Sequence, residues 1–284
     1  MGRRPAARER DTERSLRRAG LLHARGDLRE AARLTELVVR AARRAGDELL
    51  LGRALNQLGV VCKELGQLRR AEGCYRRALP LLRRLLGPSH ASMASLYHNL
   101  GGILYAQGAW ARAERWTRRA VDVRRAELGR HHPDVMADEA SLAPILAARG
   151  KTAPAEAIYR RAIRFYSTRA PAPYEVAVNA SNLGVLLDEA GRHRAAESSF
   201  RRALAAYRSM RRPPPHDVGL ALYNLGVLRA RTGRADAAER VSEAHSLFLA
   251  ALGPRHALTR EAARRLLALR AACRQPARAA RSAG

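Results

Sequence analysis

The sequence predicts an all-α protein assembled from repeated helical hairpins. Three observations carry that expectation. The glycines Gly26, Gly66, Gly108, Gly150, Gly191 and Gly233 lie 40, 42, 42, 41 and 42 residues apart. An alanine stands five residues after each, at Ala31, Ala71, Ala113, Ala155, Ala196 and Ala238. Finally, 51 arginines and 57 alanines make up over a third of the 284 residues, a bias toward strong helix formers that excludes a parallel-sheet enzyme rich in Val and Ile. A period of this length marks a repeat architecture, in which each unit buries its apolar face on its neighbours.

The elements follow in order. Residues 1–11 form a basic N-terminal arm, and the periodic region is 12–253. Its repeats fall at about 12–46, 48–87, 90–129, 132–170, 174–211 and 215–253. Within each, apolar residues return every three or four positions on both sides of the glycine, so two helices meet at a tight turn. Glycine suits that turn because it ends a helix in the left-handed conformation without strain. The alanine has no bulk beyond Cβ, which lets the two helices cross closely. Leu58-Gly59, Leu100-Gly101, Leu183-Gly184 and Leu225-Gly226 do the same from the first helix, at some cost in helix propensity. Tyr75, Tyr159 and Phe200 recur four residues beyond the alanine, with Ala78, Ala120, Ala162 and Ala203 three further on. Residues 254–275 read as a capping helix ended by Gln275-Pro276, and 276–284 as a disordered basic tail with Arg278 and Arg281.

Some repeats depart from the pattern. Repeat one has Arg17-Arg18-Ala19 in place of a polar residue and Leu-Gly. Repeat four has Ala143-Pro144, and Pro144 is expected to remove one helical hydrogen bond and kink its helix. Repeat six reads one residue short in its second helix and places Arg229 at an apolar position. Pro213-Pro214-Pro215 stiffens a linker, and no domain boundary is expected within 12–253.

Leu-Gly, a turn Gly, then Ala-x3-aromatic-x2-Ala resembles the tetratricopeptide repeat. The period resembles the longer variant of kinesin light chains and bacterial relatives, whose linker is matched by Leu86-Gly87-Pro88-Ser89-His90, Leu128-Gly129-Arg130-His131-His132-Pro133 and Leu252-Gly253-Pro254-Arg255-His256. The resemblance implies a right-handed α-solenoid of six hairpins plus a capping helix. It also implies a concave groove lined by the first helices, in which asparagines near Leu-Gly clamp ligand backbones.

The formal charge of +27 admits two readings. Clustered arginines bind phosphate backbones by releasing counterions. Only Lys63 and Lys151 stand beside 51 arginines, however, and phosphate binding would not exclude lysine, so GC-rich codon usage is the main expected cause. Three cysteines, Cys62, Cys74 and Cys273, exclude a disulfide scaffold and suit a reducing, cytoplasmic setting. No apolar run reaches membrane-span length, and the first ten residues carry no apolar signal segment.

Little in the sequence argues for catalysis. Gly150-Lys151-Thr152 imitates the end of a phosphate-binding loop, but Ile145 occupies the position of its first glycine. His90, His132, His216 and His256 share one linker position, which the repeat itself explains. His131-His132 has no third ligand at metal spacing. Cys62 and Cys74 read as buried small hydrophobes. No catalytic residue, cofactor or metal is expected.

The groove is the candidate site. Gln57, Asn99, Ser141, Asn182 and Asn224 stand just before the Leu-Gly position in one register. An amide offers both donor and acceptor, so it can pair with an extended peptide backbone of any sequence. Asn56, His98, Tyr105, Ser181, Asp188, Tyr223 and Arg231 flank the ladder and would set specificity. A second series, Arg76-Arg77, Arg118-Arg119, Arg160-Arg161 and Arg201-Arg202, forms an outward ridge for an acidic partner or polyanion. The expected function is a non-catalytic adaptor binding a protein or peptide in its groove. Alternatives are an electrostatic binder of nucleic acid or another polyanion, and a signalling-peptide receptor or regulatory subunit.

Overall fold

A computed structural model describes the backbone of residues 4–282 and the side chains of residues 10–272. The chain is 83% helical, and the described residues include no strand. It folds as two compact units, Met1–Gly150 and Lys151–Gly284. The unbroken register of 12–253 pointed to one body; the division falls inside repeat four.

The first unit contains α1 (Arg4–Ala24), α2 (Leu28–Ala45), α3 (Glu48–Glu64), α4 (Leu68–Leu86), α5 (Ala91–Ala106), α6 (Trp110–Leu128) and α7 (Pro133–Ala148). The second contains α8 (Thr152–Thr168), α9 (Pro173–Glu189), α10 (His193–Arg208), α11 (Pro215–Arg231), α12 (Ala237–Leu252) and α13 (Ala257–Ser282). Two expected ends differ. The arm at 1–11 is helical from Arg4 onward as part of α1, and α13 continues past Gln275-Pro276 through most of the expected tail. The side chains of Arg278 and Arg281 lie outside the described residues. α7 likewise continues through Pro144.

Each turn closes as its glycine requires. Gly66 sits at φ +75°, its N–H reaching Lys63 O at 3.0 Å while Gln67 N–H reaches Cys62 O at 2.8 Å. Such paired bonds satisfy the last carbonyls of α3. Beyond the turns, Ala31, Ala71, Ala113, Ala155 and Ala196 are fully buried. Repeat six shifts by one. The turn there extends to Asp236, and Ala237, not Ala238, takes the buried slot, with Val241 and Ala244 following at the aromatic and second-alanine positions.

The Leu-Gly glycine packs on the second helix of its own hairpin. A Cβ on Gly59 would stand 2.4 Å from the Tyr75 ring, and one on Gly184 would stand 2.6 Å from Phe200. Thr117 takes the ring's place beneath Gly101, and Val241 beneath Gly226. First helices of successive hairpins also touch: α1 meets α3, α3 meets α5, α5 meets α7, and α9 meets α11. No two successive second helices touch to that extent among the described residues. The first helices therefore form the tighter layer within each unit.

The linker histidines have a structural task. His90 Nδ1 accepts from Ser92 N–H at 3.1 Å, His132 from Asp134 N–H at 3.2 Å, and His256 from Leu258 N–H at 3.3 Å. Each satisfies an orphan donor in the first turn of α5, α7 or α13. His216 differs, its Nδ1 lying 3.0 Å from Asp217 Oδ1. Replacing His132 with Ala should destabilise the first unit by about 0.5–2 kcal/mol. His132→Asp should restore the stability, because it supplies an acceptor and a favourable charge at the helix start. Thermal melts of the three proteins check this.

Candidate functional site

The amide series divides into occupied and open positions. In the first unit Asn99 Nδ2 donates to Asn56 Oδ1 at 3.2 Å, so two groove candidates consume each other. Gln57 Nε2 reaches back to Leu16 O at 3.4 Å, and Ser141 Oγ donates to Asp138 O in its own helix at 2.7 Å. In the second unit Asn182 is exposed and Asn224 half-buried, and neither side chain bonds to another described residue. These two stand on neighbouring first helices, α9 and α11.

The flanking residues are distributed in the same way. Asp188 takes Arg231 Nη1 at 2.8 Å on one oxygen and lies 2.8 Å from His193 Nδ1 on the other. Arg231 and Asp188 thus form a cross-hairpin pair about two turns along the same helices from the open amides. Tyr223 OH donates to Glu261 Oε1 at 3.4 Å, Ser181 is half-buried, and Tyr105 is exposed. In the first unit His98 Nδ1 lies 2.8 Å from Asp138 Oδ1, whose other oxygen accepts from Arg124 Nε at 2.6 Å. Beside it Glu139 accepts from Arg125 at 2.7 Å. Asp138 and Glu139 are both buried, and Glu139 stands where Leu55, Tyr97 and Leu222 serve as core in other repeats. The sequence reading passed over this buried acid pair. Its signal was present as two carboxylates at core positions of α7.

The arginine ridge is exposed throughout, and one arginine in each of its last three doublets is held by a glutamate of its own helix. Arg118 pairs with Glu114, Arg160 with Glu156 and Arg201 with Glu197, each one turn away. Arg119 lies 5.3 Å above the Tyr97 ring, and Arg202 donates to Ser167 Oγ at 3.1 Å. The same glutamates also reach the next hairpin: Glu114 to Arg149, Glu156 to Arg192 at 2.6 Å, and Glu197 to Arg229 at 3.0 Å. Glu72 holds the equivalent position and accepts from Gln107 at 2.8 Å. A glutamate directly after the buried alanine therefore clips successive hairpins together. Arg229, unexpected at an apolar position, is held by Glu197 and Asp236.

Cys62 and Cys74 are buried free thiols on facing helices α3 and α4. A bond from the Cys74 thiol pulls Cys62 down to about 7 against the opposing effect of burial. The same bond, with burial, pushes Cys74 upward. Among the described residues no three His, Cys, Asp or Glu side chains gather at metal-binding distance. No helix among them is long and apolar enough to cross a membrane.

The tetratricopeptide repeat profile matches residues 11–91, 92–168 and 180–210. The chain belongs to the tetratricopeptide repeat family. Comparison with curated proteins gave no match. Among solved structures, the tetratricopeptide fold is shared with BtubC from P. vanneervenii at 23% identity, covering 84% of this chain and 91% of that one with a TM-score of 0.59. Kinesin light chain repeats of P. anserina align at 17% identity over 70% of this chain and 97% of theirs, TM-score 0.58. The quorum sensor NprR of B. thuringiensis, in complex with its cognate peptide NprX, aligns at 13% identity over 91% of this chain and 72% of its own, TM-score 0.69.

The glutamate clips make a pH prediction. Burial raises the Glu156 carboxyl, but hydrogen bonds from Arg160 and Arg192 outweigh it and hold the group below its ordinary 4.5. A depressed carboxyl contributes stability that is present above 4.5 and lost as pH falls through the folded value. Glu156→Gln should therefore lower the urea midpoint at pH 7, and the gap from wild type should close as the pH is taken below 4.5.

Proposed function

We propose that the chain is a non-catalytic adaptor that binds an extended peptide segment of a partner across the first helices of the second unit. The observation that carries this reading is the pair of open amides, Asn182 on α9 and Asn224 on α11, with no partner among the described residues. Asn224 is half-buried, and an amide in that setting without a partner loses the worth of a hydrogen bond, which a peptide backbone can restore from either side of its chain, while the exposed Asn182 is free to meet the same ligand. Arg231 and Asp188, paired across α9 and α11 about two turns further along, supply a charge of each sign and so favour a ligand carrying both. The Asn99–Asn56 pair in the first unit has no such need.

Several relatives support the reading. NprR is solved with a peptide, and the tetratricopeptide family consists largely of interaction scaffolds. A reducing, cytoplasmic setting belongs to the same reading and rests on the buried free thiols. The test is selection of binders from a random peptide display library, followed by titration of the best peptide. Asn182→Ala/Asn224→Ala should weaken it at least about tenfold, as loss of two neutral hydrogen bonds implies. Asn99→Ala should stay within about threefold of wild type. Equal losses in both variants would place binding elsewhere.

A further inference from the structure

The ridge doublet of α4, Arg76-Arg77, belongs to a longer run of arginines on that helix. Along α4 the residues most open to solvent are three arginine doublets, Arg69-Arg70, Arg76-Arg77 and Arg83-Arg84, together with Gly73, Pro80 and Leu85. No acidic residue is among them. Arg70 pairs with Glu36 and Arg84 with Glu48, but Arg69, Arg76, Arg77 and Arg83 have no acidic partner among the described residues. The one carboxylate of α4, Glu72, is taken by Gln107. The Glu36–Arg70 pair joins this face to α2, where Arg40, Arg43 and Arg44 are also exposed and form no ion pair with another described residue.

The spacing is regular. The doublets recur every seven residues, which is about 10.5 Å along a helix, so they fall on one stripe about 21 Å long. Gly73 and Pro80 lie between them on the same stripe, and space above Gly73 is open. Short residues there admit a bulky backbone to the helix surface, while the flanking guanidiniums reach around it. Guanidinium forks match phosphate oxygens in geometry as well as charge.

We infer that the outer face of α2 and α4 is a sequence-independent binding surface for the phosphodiester backbone of duplex nucleic acid. A protein partner is disfavoured because α2 and α4 offer only Leu37 and Leu85 as large exposed apolar side chains, whereas protein interfaces center on buried apolar and aromatic residues. A single strand is disfavoured because neither helix exposes an aromatic ring on which bases would stack. The inference is independent of the amides in the second unit.

Fluorescence anisotropy with a labelled mixed-sequence 25-base-pair DNA duplex, over about 0.05–0.3 M NaCl, tests it. Two variants of the full chain each lose three charges: Arg69/Arg76/Arg83→Gln, and the glutamate-paired set Arg118/Arg160/Arg201→Gln. Circular dichroism confirms that both fold. The first should bind at least tenfold more weakly at 0.1 M NaCl, and the slope of log K against log salt should fall by about 2–3, close to 0.9 for each contact removed. The second should stay within threefold. Equal losses in the two variants would show a mere net-charge effect and overturn the assignment. So would duplex affinity weaker than about 100 µM, the limit of ordinary non-specific binding. Equal affinity for a matched single strand, or for poly-L-glutamate of matched charge, would overturn it as well.

Discussion

Four hairpins in this chain depend on a steric gap, at the position that Ala19 and Ala143 hold in repeats one and four. The Leu-Gly glycine leaves no side chain where the second helix presents Tyr75, Phe200, Thr117 or Val241, and the buried alanine leaves little more on the opposite side. Two helices can then approach until a ring of one fills the hollow of the other. Close packing of this kind is intolerant of added atoms, because interiors are filled to crystal-like density. It also fixes where every other residue of the first helix points. The amides before Leu-Gly are held on one face because the glycine after them can face nowhere else.

Charge is handled by the same repetition. Glutamate follows the buried alanine in four successive repeats, where it ties its own helix to the next hairpin. Arginines within reach of those carboxylates become structural, two to a glutamate in three of the repeats. On α4 the arginines outnumber the one carboxylate six to one. Codon usage can account for the number of arginines in the chain, but not for a helix whose long exposed side chains are all guanidiniums in a seven-residue rhythm.

Much of the fold was legible in the sequence, since backbone geometry writes itself in residue type. Gly66 must adopt positive φ and Ala71 must be small, and both are visible by counting. Counting failed in repeat six because the buried slot comes four residues after Gly233, one fewer than in the other repeats, so Ala237 took the place assigned to Ala238. The site was less legible. Asn99 shares its register with Asn182 and Asn224, yet only the distance between hairpins decides that it pairs with Asn56, 43 residues away. The histidines were visible as a repeated position, but their capping role depends on ring orientation. The division after Gly150 left no mark, because the repeat register runs through it unbroken.

The claim at the centre of this account is that the glycine exists to admit the ring. A double-mutant cycle on Gly59 and Tyr75, read from urea midpoints, measures that coupling directly. In the wild-type background Gly59→Ala should cost about 1–3 kcal/mol through overpacking. In the Tyr75→Ala background the same change should be neutral or stabilising by up to about 1 kcal/mol, since alanine is the better helix former. An equal cost in both backgrounds would contradict the account, and would mean that Gly59 is required for some reason other than the approach of Tyr75.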